Sequence, residues 1–380
     1  MYEIGLLWLI LALTGSTTLT GLVGMSAYLP TLLFALFAGY IVDQADKRKL
    51  MLWTDILRAG LALTIPILFF LDAISTMLLG IITFAIASLH ALFVPARDAL
   101  IPVLTAPRNL LKANSLMQSS WQIALILGPL AAGFFLQYAG NVQLFTFDAL
   151  TFLLSFALIF MIPKTRRNLS SEARKQASFA AALSDIKAGL HYAYNNKILL
   201  ILFFFTAIDN LFIMGPAIVG LPIFVNQVLQ ETPQTYALAQ MSMAIGMISG
   251  TLAINIFGIN WRPGKMLIIG IILDGLTYFP MLFVDTKAML WLVLFVHGLT
   301  IPLIIIPRPT IIHRIVPPAM HGRIFALIHL AVTGLTAISI FLTGIIAEWI
   351  PIAELFAWIA ILAALTGVVG SLSKSFRQLT

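Results

Sequence analysis

Cysteine is absent from the 380-residue chain. Disulfides, thiolate nucleophiles and cysteine-ligated metals are therefore excluded. Charge is scarce too: Asp, Glu, Lys and Arg make up 10% of the residues, against roughly 25% in soluble domains. Missing as well are the G-x-x-x-x-G-K-[ST] phosphate loop, the H-E-x-x-H metal pair and the G-x-S-x-G nucleophile turn. The six histidines are scattered. ATP-driven export by this chain alone, enzymatic catalysis and a resident metal or other cofactor are not expected. Residues 1–14 carry neither the basic n-region nor the A-x-A site of a secretory signal.

What the chain has is hydrophobic residues, 60% of the total. They lie in long continuous runs, not in the alternating stretches of about ten residues that mark barrel strands. Inside hydrocarbon every backbone N–H and C=O must pair within the protein, so such runs predict helices. Twelve segments are expected, including 1–14, 19–42 and 288–307. The first is too short to cross, since a span needs about 20 residues, and it predicts an incomplete first helix. The fold class expected is an all-α membrane protein.

The net charge is +7. Its distribution points to a membrane, not to nucleic acid. Placing the loops after even-numbered segments on one side leaves only Lys287 of the 22 basic residues on the other. The opposite loops and their edges carry Asp72, Glu231, Asp285, Glu348 and Glu354 instead. The positive-inside rule makes the basic face cytoplasmic, with the C-terminus.

The longest polar stretch predicts a cytoplasmic linker over 163–197. Within it Phe179, Leu183, Ile186 and Leu190 recur with helical spacing, predicting an amphipathic helix on the inner membrane surface. The linker separates an N-terminal six-helix bundle, 1–162, from a C-terminal one, 198–380. The halves read as parallel repeats. His90-Ala91-Leu92-Phe93-Val94-Pro95 matches His297-Gly298-Leu299-Thr300-Ile301-Pro302 in spacing, and Leu144-Phe145 matches Leu355-Phe356.

Several runs carry a family resemblance. Gly39-Tyr40-Ile41-Val42-Asp43-Gln44-Ala45-Asp46-Lys47-Arg48-Lys49 resembles the loop between helices 2 and 3 of the major facilitator superfamily. Phe93 to Pro102, Ala113-Asn114-Ser115-Leu116, Asp148 to Ser155 and Pro317 to Arg323 resemble its macrolide and enterobactin exporter branch of drug–proton antiporters. Gly128-Pro129-Leu130-Ala131-Ala132-Gly133 is similar to the antiporter motif of helix 5, with Ala132 replacing one glycine. Gln44 departs from the basic residue common at its place, and helix 4 lacks the arginine that many drug–proton antiporters carry.

The resemblance implies a two-bundle transporter of a small-molecule substrate, coupled to protons, monomeric, and embedded in the lipid bilayer of a cell inner or plasma membrane. Gly39 is expected to allow close helix approach, and Asp43, Lys47, Arg48, Asp55, Arg58 and Arg97 to form a cytoplasmic gate. Gly128, Pro129 and Gly133 are expected to form a hinge in helix 5.

An ionised side chain at mid-bilayer costs roughly 2.5–3.5 kcal/mol on insertion scales. Asp209 lies about 16 Å into segment seven at helical rise, beside Asn210, and is the first candidate for proton coupling. Asp274, midway along segment nine, is a candidate for that role or for helix pairing. His90 and His297 stand at matching places in helices 4 and 10 and titrate near neutrality. Three readings follow. One is proton-coupled efflux of a hydrophobic or amphipathic molecule such as a drug, macrolide or siderophore. The others are a lipid or lysophospholipid translocator of the same fold, and a non-transporting receptor or assembly protein.

Overall fold

A computed structural model describes residues 1–163, 179–257 and 261–372. Among the described residues all regular structure is helical. The chain runs through α1 (Tyr2–Thr14), α2 (Thr17–Ser26), α3 (Leu29–Gln44), α4 (Lys47–Phe70), α5 (Thr76–Leu104), α6 (Leu110–Tyr138) and α7 (Gln143–Met161). It continues through α8 (Phe179–Tyr194), α9 (Lys197–Gly215), α10 (Pro233–Ile256), α11 (Pro263–Leu276) and α12 (Lys287–Thr300). The last elements are α13 (Pro302–Ile305), α14 (Pro307–Ile315), α15 (Pro318–Ile346) and α16 (Ile352–Ser371). Among the described residues eleven candidate spans are long and apolar enough to cross a membrane, and α1 is a shorter apolar helix.

Helix starts follow local chemistry. Ser16, Asp46, Ser75, Asn196 and Thr286 each accept from a backbone N–H of the helix they open, satisfying donors that have no intrahelical partner. Proline explains the interruptions, because it lacks an N–H and crowds the carbonyl four residues back. The expected single segment 19–42 is broken between Ser26 and Leu29, just before Pro30. Beyond Gly215, α9 continues through widened turns at Pro216–Gly220 and Phe224–Val228. Pro222 frees the Ile218 carbonyl, and the Tyr236 hydroxyl lies 3.5 Å from it. The tenth segment, expected to stop at 307, runs on to Ile315 through restarts at Pro302 and Pro307.

The α8 helix falls within residues 163–197, and the side it turns to the protein is not the one that carries the leucines of the anticipated membrane-facing stripe. Leu183 and Leu190 are exposed. Gly189 faces Leu327 and Arg323 instead, Tyr192 reaches the Ile315 carbonyl at 3.4 Å, and Asp185 pairs with Arg323 at 2.6 Å. These contacts dock α8 on α14 and α15. The Phe179 side chain lies outside the described residues, as do residues 164–178.

One core cluster joins only early residues, including Leu6, Ile65, Leu79 and Phe145. Another joins only late ones, including Leu199, Leu267, Ile312 and Ile324. The largest bridges them, with Leu7, Leu11, Leu136, Ile213, Phe224, Tyr236 and Ile340.

Contacts between early and late helices concentrate at the end bearing the acidic loops. The Thr17 hydroxyl donates to the Gly344 carbonyl at 2.8 Å. A Cβ on Gly21 would lie 2.9 Å from the Gly344 Cα, so α2 and α15 touch backbone to backbone. Gln234 donates to Gln137 at 2.6 Å, and Gly133 packs on Ala237, joining α6 to α10.

Candidate functional site

Four ionisable side chains from α9, α11, α12 and α14 meet in the interior. Asp209 Oδ2 lies 3.6 Å from an Arg308 guanidinium nitrogen. Asp274 Oδ1 lies 3.7 Å from His297 Nε2. His297 Nδ1 is 2.9 Å from the Thr277 hydroxyl, and the Tyr278 ring packs 4.1 Å from the imidazole. Asp209, Asp274 and His297 are all buried. Asp209 Oδ1, Thr206 Oγ1, Arg308 Nε and the Tyr278 hydroxyl are buried without a hydrogen-bond partner. Buried polar atoms are normally satisfied, so such a group of orphans marks a place built for more than packing.

The charge balance is the central feature. The cluster holds two carboxylates and one permanent cation, Arg308, which faces Asp209; arginine is not deprotonated in proteins. With both carboxylates ionised and His297 neutral, the cluster carries a net negative charge away from water, which is costly. One proton, on a carboxylate or on His297, makes it neutral.

Arg308 corrects an expectation. It reads in the sequence as one of the basic residues in or beside a loop, whereas it lies within the tenth span and faces Asp209. Its flanking prolines, Pro307 and Pro309, look like the end of a span. Proline is nevertheless well tolerated in the first turn of a restarted helix. The apolar residues Ile311 and Ile312 beyond it are the signal that the span continues.

Asn210, beside Asp209, turns to its own helix and donates to the Thr206 carbonyl at 2.7 Å. His90 does not join the cluster. It is exposed, with Nδ1 3.4 Å from Arg58. Arg58 forms a buried ion pair with Asp55, whose second oxygen accepts from Ser155 at 2.7 Å. The guanidinium stacks between Phe93 at 4.4 Å and Phe152 at 4.6 Å. This second knot ties α4, α5 and α7 together. The repeat is thus visible in the chemistry: Asp55 and Arg58 oppose His90, while Asp274 and Thr277, with the same spacing, oppose His297.

The remaining expected residues are dispersed. Among the described residues nothing lies within 4 Å of a Cβ built on Gly39, so the close approach expected there is not seen among them. Asp43 is exposed and makes no ion pair among the described residues. Lys47 reaches only the Val42 carbonyl, at 3.5 Å. Arg48 donates to the Ile159 and Phe160 carbonyls at 3.2 and 2.5 Å, joining the start of α4 to the end of α7. Arg97 pairs with its neighbour Asp98 at 2.8 Å. In α6 the helix runs unbroken through Pro129, and Gly128 also faces open space. Close packing occurs at Gly133, where a Cβ would sit 3.3 Å from Ala237.

At the acidic end Glu348 clasps α2. Its Oε1 accepts from the Ser16 hydroxyl at 2.8 Å and from the Thr18 N–H at 3.1 Å. The Thr18 backbone N–H, with help from the Ser16 hydroxyl, holds this carboxyl below the ordinary glutamate range. A carboxylate at a helix N-terminus is also favoured by the helix dipole.

Eleven apolar spans among the described residues, enclosing two buried ionic knots, define a multipass α-helical membrane protein of the transporter type. The chain belongs to the major facilitator superfamily, whose family model matches residues 2–334. It is 22% identical over 376 residues to macrolide efflux protein A of Streptococcus pyogenes, covering 96% of this chain and 90% of that protein. It is 22% identical over 385 residues to the multidrug efflux pump Tap of Mycolicibacterium fortuitum, covering 98% and 91%. Among solved structures the nucleoside transporter NupG superposes with a TM-score of 0.75 at 13% identity, over 97% of this chain and 94% of that one. A bacterial homolog of the lysosomal transporter Spinster, in an inward-facing and occupied conformation, superposes with a TM-score of 0.69 at 13% identity, over 99% and 93%.

Proposed function

We propose that the chain is a secondary active exporter that moves a hydrophobic or amphipathic small molecule out of the cell in exchange for protons. Similarity to the macrolide and multidrug efflux proteins supports the export reading. The pairing of Asp209 with Arg308, beside a second buried carboxylate on Asp274, carries the proton reading. Protonating Asp209 releases the guanidinium. Losing the proton lets the pair re-form, so occupancy of one site by H⁺ changes how α9 and α14 hold together. Asp274 and His297, paired at 3.7 Å, are the second place where that charge can rest.

In this reading residues 1–162 and 198–380 are the moving halves, and 163–197 is the cytoplasmic linker between them. The basic end faces the cytoplasm by the positive-inside rule. The halves touch at the opposite end, so the conformation described is closed to the outside. Gly39 and Asp43 are then waiting for partners that meet them only when the inner end closes.

The test is proton-driven efflux of a macrolide, followed in inverted membrane vesicles. Asp209→Asn is expected to lower gradient-driven flux at least tenfold while gradient-independent exchange of the same compound persists. Unchanged driven flux in Asp209→Asn would remove the proton role.

A further inference from the structure

The cleft between α5 and α6 has chemistry that the coupling cluster does not use. It measures about 450 Å³ and is lined by Arg97 and Asp98 from α5 and by Asn114, Gln118 and Trp121 from α6. That volume falls within the roughly 300–1,000 Å³ of small-molecule sites.

The α6 helix presents two exposed faces. Leu116, Ile123, Leu127, Leu130 and Phe134 recur at helical spacing and are all exposed, which makes them the face suited to lipid. At 100° per residue, Asn114, Gln118 and Trp121 lie on the opposite side. They are exposed as well, Trp121 to 61%. Polar side chains within a span are placed toward water-filled space, not toward lipid. This second face therefore belongs to a hydrated pathway.

The lining also says what it suits. Asn114 and Gln118 make no side-chain hydrogen bond among the described residues, so each offers two N–H donors and a carbonyl acceptor. The Trp121 indole offers a flat apolar face with an N–H at its edge. Arg97 and Asp98 satisfy one another at 2.8 Å, which leaves the cleft without net charge. A charged or zwitterionic head would have to break that pair. A neutral ring rich in hydroxyls would not, because each hydroxyl both donates and accepts.

We propose that this cleft binds a neutral polyhydroxylated ring, such as the sugar portion of an amphipathic glycoside, with the ring stacked on Trp121 and its hydroxyls bonded to Asn114 and Gln118. The identity of this ligand as cargo rests on the export reading above; the binding site does not.

The test uses the full chain in lipid nanodiscs, with radiolabelled octyl β-D-glucoside below its micelle concentration as the probe. Octyl tetraethylene glycol and octylphosphocholine carry the same alkyl chain with a ringless and a zwitterionic head. The glucoside is expected to bind at least tenfold tighter than either. Trp121→Leu and Gln118→Ala should each weaken it about tenfold, equivalent to about 1.4 kcal/mol, and Trp121→Phe should retain binding. Equal affinity for all three heads, preference for phosphocholine, or wild-type binding by Trp121→Leu would each overturn the proposal. If the variants fail to fold, the comparison of heads on the unaltered protein still decides. The assay needs no proton gradient. Glucoside selectivity without driven efflux would count against the export reading alone, and driven efflux with indifference to the head would count against this site alone.

Discussion

A guanidinium inside hydrocarbon needs a partner, and Arg308 has Asp209 at 3.6 Å. Breaking a buried pair on one side strands the other charge, at a cost of about 3–5 kcal/mol. Arg308→Gln is therefore expected to lower the thermal midpoint of the purified protein clearly. The double variant Asp209→Asn/Arg308→Gln should recover much of that loss, because neither charge is left alone. Fluorescence-monitored melting checks it, and a double variant as unstable as the sum of the singles would contradict the pairing. Asp209, Asp274 and His297 stand out in the sequence because ionisable residues are rare in apolar runs. Arg308 does not, because Pro307 and Pro309 disguise its helix as a loop. His90 shows the opposite limit. Its H-x-x-x-x-P match to His297 fixes its place along a helix, but its surroundings come from α4, and they supply an arginine where the later half supplies a threonine.

The contact between α2 and α15 depends on two glycines. A Cβ on Gly344 would sit 2.7 Å from the Gly21 Cα and from the Thr17 carbonyl. Gly344→Val should force these helices apart and favour the conformation open at the acidic end, read as increased labelling of a cysteine introduced at Thr20. Unchanged labelling would contradict the role given to the contact. The Glu348 clasp adds a pH dependence with a definite sign. Its carboxyl is held low in this conformation by Thr18 and Ser16, so the clasp is intact above the ordinary glutamate range and is lost as the pH at the acidic end falls through the lowered value. Acidification on the side of the acidic loops should raise accessibility at this end, and Glu348→Gln should show the raised level at neutral pH with little further response to acid. An acid response undiminished in Glu348→Gln would contradict the clasp. At this scale the number and type of helices were legible from apolar run lengths. Their breaks were less so: the prolines were visible, but whether each bends, widens or ends a helix depends on which neighbouring group satisfies the freed carbonyl, as Tyr236 does for Ile218.

Across the whole molecule the contacts between early and late helices are concentrated at one end. Repeated motifs and the asymmetry of basic loops lead to the expectation of two halves, but a sequence does not say at which end the helices meet in a given state. The absence of cysteine makes this simple to probe, since no native thiol has to be removed. A Gln137→Cys/Gln234→Cys pair, at positions whose side chains now meet at 2.6 Å, should crosslink readily in the resting protein and block export when oxidised. A pair that never crosslinks would show that the resting state is not the one described.

Proton exchange at the Asp209–Arg308 pair is measured most directly by proton movement itself. Proteoliposomes containing the purified chain and a trapped pH-sensitive dye can be given a macrolide gradient with no imposed pH difference. Downhill flow of the macrolide is expected to drive protons the opposite way in the wild-type protein, and Asp209→Asn is expected to abolish this pH change. Macrolide flow with no pH change in the wild type, or an equal pH change in Asp209→Asn, would contradict proton exchange at this pair.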